Sequence, residues 1–324
     1  MSQQVFITGA GGFIGSHLTE ALVQAGYQVK ALVHYRGSGD SGWLKQLPAD
    51  CLSAIEIVSG DVRDTEHMRQ AVQGCELVFH LASLIGIPYS YSAPRSYIET
   101  NITGTLNLLQ AALAHNARFL HTSTSEVYGS ALYVPIDEDH PLQGQSPYSA
   151  SKIGADMLAQ SFQRSFGLEM TVVRPFNTFG PRQSTRAVIP AIISQLLSAK
   201  PTLDLGALSP TRDLNYVANT VSAYLSVARS DQVSGEVIHF GSGREISIGD
   251  LAQLIMKLSG IEKEIICEEA RKRPEQSEVN RLWAKPDKAK KLLGWEPQFS
   301  LEEGLQKTID WVKANPYQSS DYAC

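Results

Sequence analysis

Tyr148 and Lys152 stand four residues apart in Tyr148-Ser-Ala-Ser-Lys152, and upstream His121-Thr-Ser-Thr-Ser-Glu-Val-Tyr-Gly129 gathers hydroxyls around Glu126. On a helix, positions i and i+4 share a face, so the phenol and the ammonium can meet. A Lys cation beside a phenol favours the phenolate, so Tyr148 is expected to act as a base well below the ordinary tyrosine pKa of about 10. Glu126 is a second acid/base, and Thr124 and Ser125 add two hydroxyls. Taken singly, a Tyr-x-x-x-Lys pair is an ordinary solvated helix face and Ser-Thr-Ser-Glu an ordinary helix-capping box. Their order behind a nucleotide fingerprint favours the chemical reading.

Two elements must position these groups. Ile153, Met157, Leu158 and Phe162 recur at helical spacing, which predicts a helix over Pro147 to Phe166. The apolar run Ala117 to Leu120 predicts a strand that ends where Ser123 to Glu126 begin, and strand ends are where open α/β sheets bind ligands. The fingerprint lies at the start of the chain. Val5 to Thr8 runs into Gly9-Ala-Gly-Gly12-Phe-Ile-Gly15, a helix marked by Phe13, Leu18, Leu22 and Val23 stops at Gly26, and Val29 to Val33 forms the next strand. Gly9, Gly12 and Gly15 suit a tight turn, close approach to a pyrophosphate and close helix–strand packing. With Phe13 and Ile14 at the helix start, they form the expected cofactor cradle.

The second strand ends in Val33-His-Tyr-Arg36-Gly, without the acidic residue that would bond an adenosine ribose. Arg36 could face a 2'-phosphate, so this feature leaves NAD and NADP open; Asp40 follows in a Gly/Ser-rich loop. A third strand, Ala54 to Val58, leads to Asp61 and Val62, where a carboxylate could contact adenine or cap a helix. A fourth strand, Glu76 to His80, opens onto Leu81, Ala82 and Ser83, small enough at Ala82 and Ser83 to let a cofactor pass. A long helix from Arg95 to His115 carries Asn101, and Arg118 to His121 returns to the sheet. Strand–helix alternation of this kind predicts a parallel, doubly wound sheet.

After Met170 to Val173, the Pro/Gly-punctuated run from Arg174 to Gln183 begins a different regime. A first domain over residues 1–174 is expected, with 213–229 folding back onto it. A smaller lobe is expected from 175–212 and 230–324, including a strand at Glu236 to Phe240. Arg182, Arg212 and Arg273 lie along that half and would suit a diphosphate if they converge. A net charge of -5 and 19% charged residues exclude a global field for nucleic acid or anionic membrane. Cys51, Cys75, Cys267 and Cys324 show no metal-type spacing, so no metal is expected and a reducing, cytoplasmic setting is. No apolar run approaches a membrane span.

With Gly9-x-x-Gly12-x-x-Gly15, Asp61, His80 to Ser83, Asn101, Ser123 to Gly129, Tyr148-x-x-x-Lys152, Arg174 to Asn177, Gly180 to Arg182, Arg212-Asp213 and Leu293 to Pro297, the chain resembles the extended short-chain dehydrogenase/reductases that act on nucleotide sugars. That resemblance implies a Rossmann-type domain with a smaller C-terminal substrate-binding α/β lobe. Thr124-Ser125-Glu126 is similar to the 4,6-dehydratases of the GDP-mannose type; the dTDP-glucose type carries Asp where this chain has Ser125. Phe176 to Pro190 and Leu208 to Leu214 resemble bacterial dehydratases acting on nucleotide-linked N-acetylglucosamine in legionaminic acid pathways. UDP-glucuronate decarboxylases share Thr-Ser-Glu and Asn-Thr-Phe-Gly-Pro-Arg.

The resemblance implies transient oxidation at the sugar C4, with Tyr148 taking the hydroxyl proton and Thr124 holding the oxygen. Glu126 then removes the C5 proton, the C6 hydroxyl leaves with a proton from Ser125, a water it orients or Glu126 itself, and hydride returns to C6. NAD is the implied cofactor, with NADP not excluded. Asn177, Arg182 and Arg212 would hold the sugar diphosphate, with Arg273 as a further candidate, while Ser83 and Tyr89 would shape the sugar pocket. A homodimer through the helices at 95–115 and 147–166 is also implied. The rival readings are a decarboxylase, which needs a cation facing the C6 carboxylate, a 4-epimerase, which has no work for Glu126, and a non-catalytic dinucleotide sensor.

Overall fold

Short runs rich in β-branched and aromatic residues form β1 (Gln4–Thr8), β2 (Gln28–His34), β3 (Ile55–Gly60), β4 (Leu77–His80), β5 (Arg118–Thr122) and β6 (Met170–Pro175). β4 and β6 are buried along their whole length, as parallel strands covered on both faces must be. The structure, a computed structural model, describes residues 3–268 and 278–317. Between the strands run α1 (Phe13–Gln24), α2 (Ala49–Ser53), α3 (Thr65–Val72), α4 (Ile87–Ser92), α5 (Pro94–Tyr97), α6 (Gly104–His115) and α7 (Pro147–Phe166). All pairings in the resulting sheet are parallel. From β1 the chain builds outwards through β2 to β3, then crosses over and builds the other way through β4, β5 and β6. The switch point therefore lies between β1 and β4, and the crevice beyond their C-terminal ends is the natural ligand site.

Helix α7 starts sharply because Ser146 and Ser149 form a reciprocal capping box and Pro147 occupies the first turn; it ends at Gly167 in the left-handed region. Tyr148, Lys152, Asp156, Ala159 and Phe162 lie on its buried face. The helix read as continuous from Arg95 to His115 is different. α5 passes through a π-helical segment, Ile98–Thr103, before α6 begins. Asn101 sits in that wider turn, with its carbonyl accepting from the Thr105 hydroxyl at 2.6 Å. Its side chain is thereby free to reach across to the loop after β4.

Beyond β6 follow β7 (Asn177–Phe179), α8 (Val188–Leu197), β8 (Thr202–Leu205), β9 (Thr211–Arg212), β10 (Leu214–Tyr216), α9 (Val217–Ala228) and β11 (Val237–Phe240). The sequence pattern assigns the strand at Glu236 to Phe240 to the second lobe. Instead, β11 pairs with β6 as the seventh strand of the main sheet. A four-residue apolar strand reads the same in either lobe; only the pairing decides. β12 (Ile246–Ser247), α10 (Ile248–Ser259), β13 (Glu264–Cys267), β14 (Arg281–Leu282), α11 (Asp287–Leu293) and α12 (Leu301–Ala314) complete the described chain. α9 packs against α1, and its Tyr224 hydroxyl meets Thr122 at 2.7 Å at the end of β5. One apolar cluster runs from Val5, Leu18 and Leu22 through Ile192 and Tyr224 to Leu305 and Ile309, so the lobes share a core.

Candidate active site

At the end of β1 the chain turns on Gly9, whose φ of +71° is the left-handed region. A Cβ on Gly15 would stand 2.0 Å from the Gly9 carbonyl oxygen, and one on Gly9 would stand 2.9 Å from the Ala82 nitrogen. The cradle is therefore closed by backbone on both sides, which only glycine permits. α1 then begins at Phe13 with no side-chain cap on Gly12 and no acidic residue in its first turn. The Phe13 and Ile14 amides and the positive end of the helix dipole are left for an anion, which fits a dinucleotide pyrophosphate. Gly15→Ala is expected to cost about 1–3 kcal/mol through overpacking and to abolish cofactor retention. Thermal melting and dinucleotide absorbance of the purified protein check both.

Around the adenosine end, Arg36 is not an open cation. It donates to Asp40 at 3.1 Å, and the same carboxylate accepts from Lys45 at 3.2 Å and from the Gly42 amide at 3.1 Å. Asp61 accepts a two-pronged contact from Arg63, which holds its carboxyl below the usual range. The neighbouring Val62 carbonyl accepts from Asn107. Across the switch point, the Ala82 amide beside Leu81 donates to Thr8, and Ser83 donates to Asn101 at 3.0 Å. Asn101 also binds both the amide and carbonyl of Leu84 and the Ser151 hydroxyl.

The proton-handling groups meet at the end of β5. Ser125 to Tyr128 form a single helical turn capped by Thr124, whose hydroxyl accepts from the Glu126 amide, and Ser125 and Glu126 are buried. Tyr148 is buried beside them, hydrogen-bonded to Thr124 and edge-on to Tyr97 at 6.2 Å. Its environment differs from the expectation of a lowered pKa. Burial pushes the phenol well above its ordinary value, outweighing the Thr124 bond, and the charges of Glu126 and Asp156 push the same way. Lys152 is itself lowered to about 8 by burial, and its ammonium donates to the Thr122 carbonyl at 2.7 Å. Position i+4 supplied the shared face, but the lysine anchors the strand end.

In the second lobe, Asn177 starts β7, and its side-chain carbonyl is buried with no protein partner. Such an orphaned acceptor fits a ligand donor. The arginines have separate moorings. Arg182, at φ +68°, reaches Glu20 at 2.9 Å and Ser16 on α1; Arg212 bonds the Thr211 carbonyl and Glu278. Arg182 therefore sits by the pyrophosphate cradle. Arg273 lies outside the described residues. Tyr89 is 54% exposed and packs on Tyr97 at 6.1 Å. Arg186, which sequence reasoning passed over, is exposed near Gly86, whose carbonyl holds the Tyr97 hydroxyl, and its charge acts on that phenol. Asp156 and Arg174, buried beneath the site, were also missed. The i+8 spacing of Asp156 from Tyr148 was a readable signal, since it shares their face. Among the described residues no group of three or more His, Cys, Asp or Glu could hold a metal, and no helix is long and apolar enough to cross a membrane.

A dinucleotide cradle at the switch point, with a buried Tyr-x-x-x-Lys face opposite a Thr-Ser-Glu turn, defines an extended short-chain dehydrogenase/reductase. The family model for GDP-mannose 4,6 dehydratase matches residues 6–308, and the chain belongs to that family. It is 32% identical over 96% of its length to a dTDP-glucose 4,6-dehydratase of Streptomyces antibioticus, spanning 92% of that protein. It is 33% identical over 97% of its length to a UDP-N-acetyl-alpha-D-glucosaminuronate decarboxylase of Bacillus cytotoxicus, spanning 98% of that protein. The solved UDP-glucuronic acid 4-epimerase of Bacillus cereus, in complex with UDP-glucuronic acid and NAD, superposes with a TM-score of 0.87 at 28% identity, covering 97% of this chain and 100% of that one. The relatives are thus nucleotide-sugar dehydratases, decarboxylases and epimerases.

Proposed function

We propose that this protein is a nucleotide-sugar 4,6-dehydratase that converts UDP- or GDP-N-acetylglucosamine to the 4-keto-6-deoxy sugar. The observation that carries the reading is Glu126, a buried carboxylate whose charge acts on the Tyr148 phenol across the Thr124 hydroxyl. A buried carboxylate and a buried phenol at one strand end suit a reaction that deprotonates both an alcohol and a carbon. An epimerase would leave Glu126 without work.

Phe13, Ile14 and the helix dipole would hold the pyrophosphate of NAD, and the Gly9–Gly15 turn would shape its path. The chemistry NAD supplies when bound is reversible hydride transfer, out at C4 and back at C6. Tyr148, once its phenol has lost its own proton to solvent, accepts the C4 hydroxyl proton while Thr124 holds that oxygen. The resulting C4 carbonyl acidifies the C5 hydrogen, which Glu126 removes. Glu126 gives that proton to the departing C6 hydroxyl, oriented by Ser125, so one water is lost; as hydride returns to C6, C5 takes up a proton from solvent, which balances the C4 hydroxyl proton that Tyr148 releases. Asn177 and Arg212 would hold the diphosphate sugar, with Arg182, moored to Glu20, on the side of the cofactor cradle, and Ser83 and Tyr89 would border the sugar. Ile98, Met157 and Phe166 are exposed on the helices of the dimer expected through 95–115 and 147–166, which supports a homodimer.

NAD is proposed over NADP because Asp40 already occupies Arg36 and places a carboxylate where a 2'-phosphate would have to compete. Asp40→Ala is expected to strengthen NADP relative to NAD several-fold, read as the ratio of dissociation constants in fluorescence titrations. A second reading, the decarboxylase, is favoured by one observation. Arg186 supplies a cation near the Tyr97 edge of Tyr148, where a C6 carboxylate could pair with it. Mass spectrometry after separate incubation with UDP-N-acetylglucosamine, GDP-N-acetylglucosamine and UDP-glucuronate decides. Loss of water from an N-acetylglucosamine nucleotide is expected; loss of carbon dioxide from UDP-glucuronate would replace the dehydratase with the decarboxylase.

A further inference from the structure

Beneath the two halves of the site lies a buried guanidinium that the proton transfers above do not use. Arg174, on β6, is 2% exposed, and each of its three nitrogens has a different partner. Nε donates to Ser123 Oγ at 3.1 Å, Nη1 to the Tyr128 hydroxyl and Nη2 to Asp156 Oδ2 at 2.7 Å. Ser123 and Tyr128 bracket Thr124, Ser125 and Glu126 in the chain. Asp156 lies at i+4 from Lys152 and i+8 from Tyr148, on the buried face of α7. Its carboxylate also accepts from Ser123 Oγ at 2.6 Å and meets His121 Nε2 at 2.9 Å. Both ends of the catalytic turn and the catalytic helix are therefore tied to one planar group.

Burying such a pair is costly, and well-packed apolar residues in its place would often stabilise a fold as well or better. Apolar side chains would not supply three directional bonds in a fixed plane, which is what a guanidinium fork does. We propose that Arg174, with Asp156, is the positioning pair of this active site, setting the separation between the Thr124–Glu126 turn and the Tyr148–Lys152 face. This rests on Tyr148, Lys152 and Glu126 as the proton-moving groups and is independent of which sugar reaction follows. Lys152 has Asp156 on its own helix, Arg174 on β6, His121 on β5 and His80 on β4 as charged or titratable neighbours. Of these, the Asp156 carboxylate is the one that sustains the ammonium; Arg174 opposes it.

The test uses the full chain with Arg174→Lys, which keeps the charge but cannot fork, and with Tyr128→Phe and Ser123→Ala, which each remove one arm; thermal melting of each variant verifies that it is folded. Misplacement of about 1 Å costs on the order of 10²-fold in rate, so Arg174→Lys is expected to lower kcat by about that factor. Substrate KM and NAD affinity should stay within a few-fold. Asp156→Asn, by removing the charge that sustains Lys152, should move the alkaline limb of the pH profile downwards. Hydrogen exchange read by mass spectrometry should show residues 123–128 and 147–156 losing protection together in Arg174→Lys. Wild-type exchange in those segments, or wild-type kcat in all three variants, overturns the proposal. If the wild-type protein turns over none of the three sugar nucleotides, the functional reading fails, and the exchange data still decide the positioning role.

Discussion

Glu126→Gln is expected to stop water loss while leaving oxidation at C4 intact. Elimination should fall by about 10²- to 10⁴-fold, the range for removing a positioned acid/base. Gln is isosteric, and the Glu126 amide that bonds the Thr124 hydroxyl is backbone, so the turn at Ser125 to Tyr128 should keep its shape. The negative charge of Glu126 raises the Tyr148 pKa, so removing it makes the phenol easier to ionise and favours the first step. Reduced dinucleotide should accumulate with a 4-keto sugar that retains its C6 hydroxyl, and exchange of the C5 hydrogen in deuterated water should cease. Absorbance and mass spectrometry read these together. Dehydration by the variant at the wild-type rate would remove Glu126 from the mechanism.

Much of the scaffold was legible because it is written in local patterns. The turn from Gly9 to Gly15, the helix Pro147–Phe166 and the strands before Gly9, Ser83 and Ser123 follow from spacing and turn chemistry that act within a few residues. The pairing of β11 with β6 was not legible, because a short buried strand carries no label for its partner. The π-helical segment at Ile98–Thr103 was hidden for a similar reason, since the apolar period continues through it while Asn101 answers to Leu84 and Ser151.

Electrostatics were least legible, because they depend on burial. The Tyr148–Lys152 spacing was visible, but not that the ammonium would turn to the Thr122 carbonyl or that desolvation would dominate the phenol. The same holds for Arg182. Its loop follows turn signals in the sequence, but its partner, Glu20, lies far upstream on α1. Arg36 and Asp40 stand at i and i+4, but it is the loop geometry that makes them engage each other. Arg174 needed a three-way junction of β5, α7 and the catalytic turn to acquire its meaning.

Tyr148→Phe should have the complementary effect: no oxidation at C4, and so no later step. The ring still packs edge-on against Tyr97, and only the hydroxyl bonded to Thr124 is lost. Cofactor and sugar-nucleotide binding should therefore stay within a few-fold while turnover falls by about 10²- to 10⁴-fold. In the free protein burial keeps Tyr148 protonated at neutral pH, and Lys152, at about 8, keeps its ammonium. Ionising the phenol is thus work the site must do during turnover, and a charged Lys152, although anchored at the Thr122 carbonyl, shares the buried helix face and favours it only through space. Turnover should rise with pH as the phenol becomes easier to ionise, then lose that support as the ammonium deprotonates through about 8. The stability effect of Lys152 has the opposite sign. Its folded value lies below the ordinary 10.5, so the unfolded chain binds the extra proton between about 8 and 10.5, and this group's destabilising effect is relieved as pH rises through that window. Activity and this contribution to stability should therefore diverge above about pH 8. The Phe variant should show neither reduced dinucleotide nor C5 exchange, whereas Glu126→Gln retains the first alone. C5 exchange in Tyr148→Phe at the wild-type rate would mean that another group takes the C4 proton, and Tyr148 would lose the role of base.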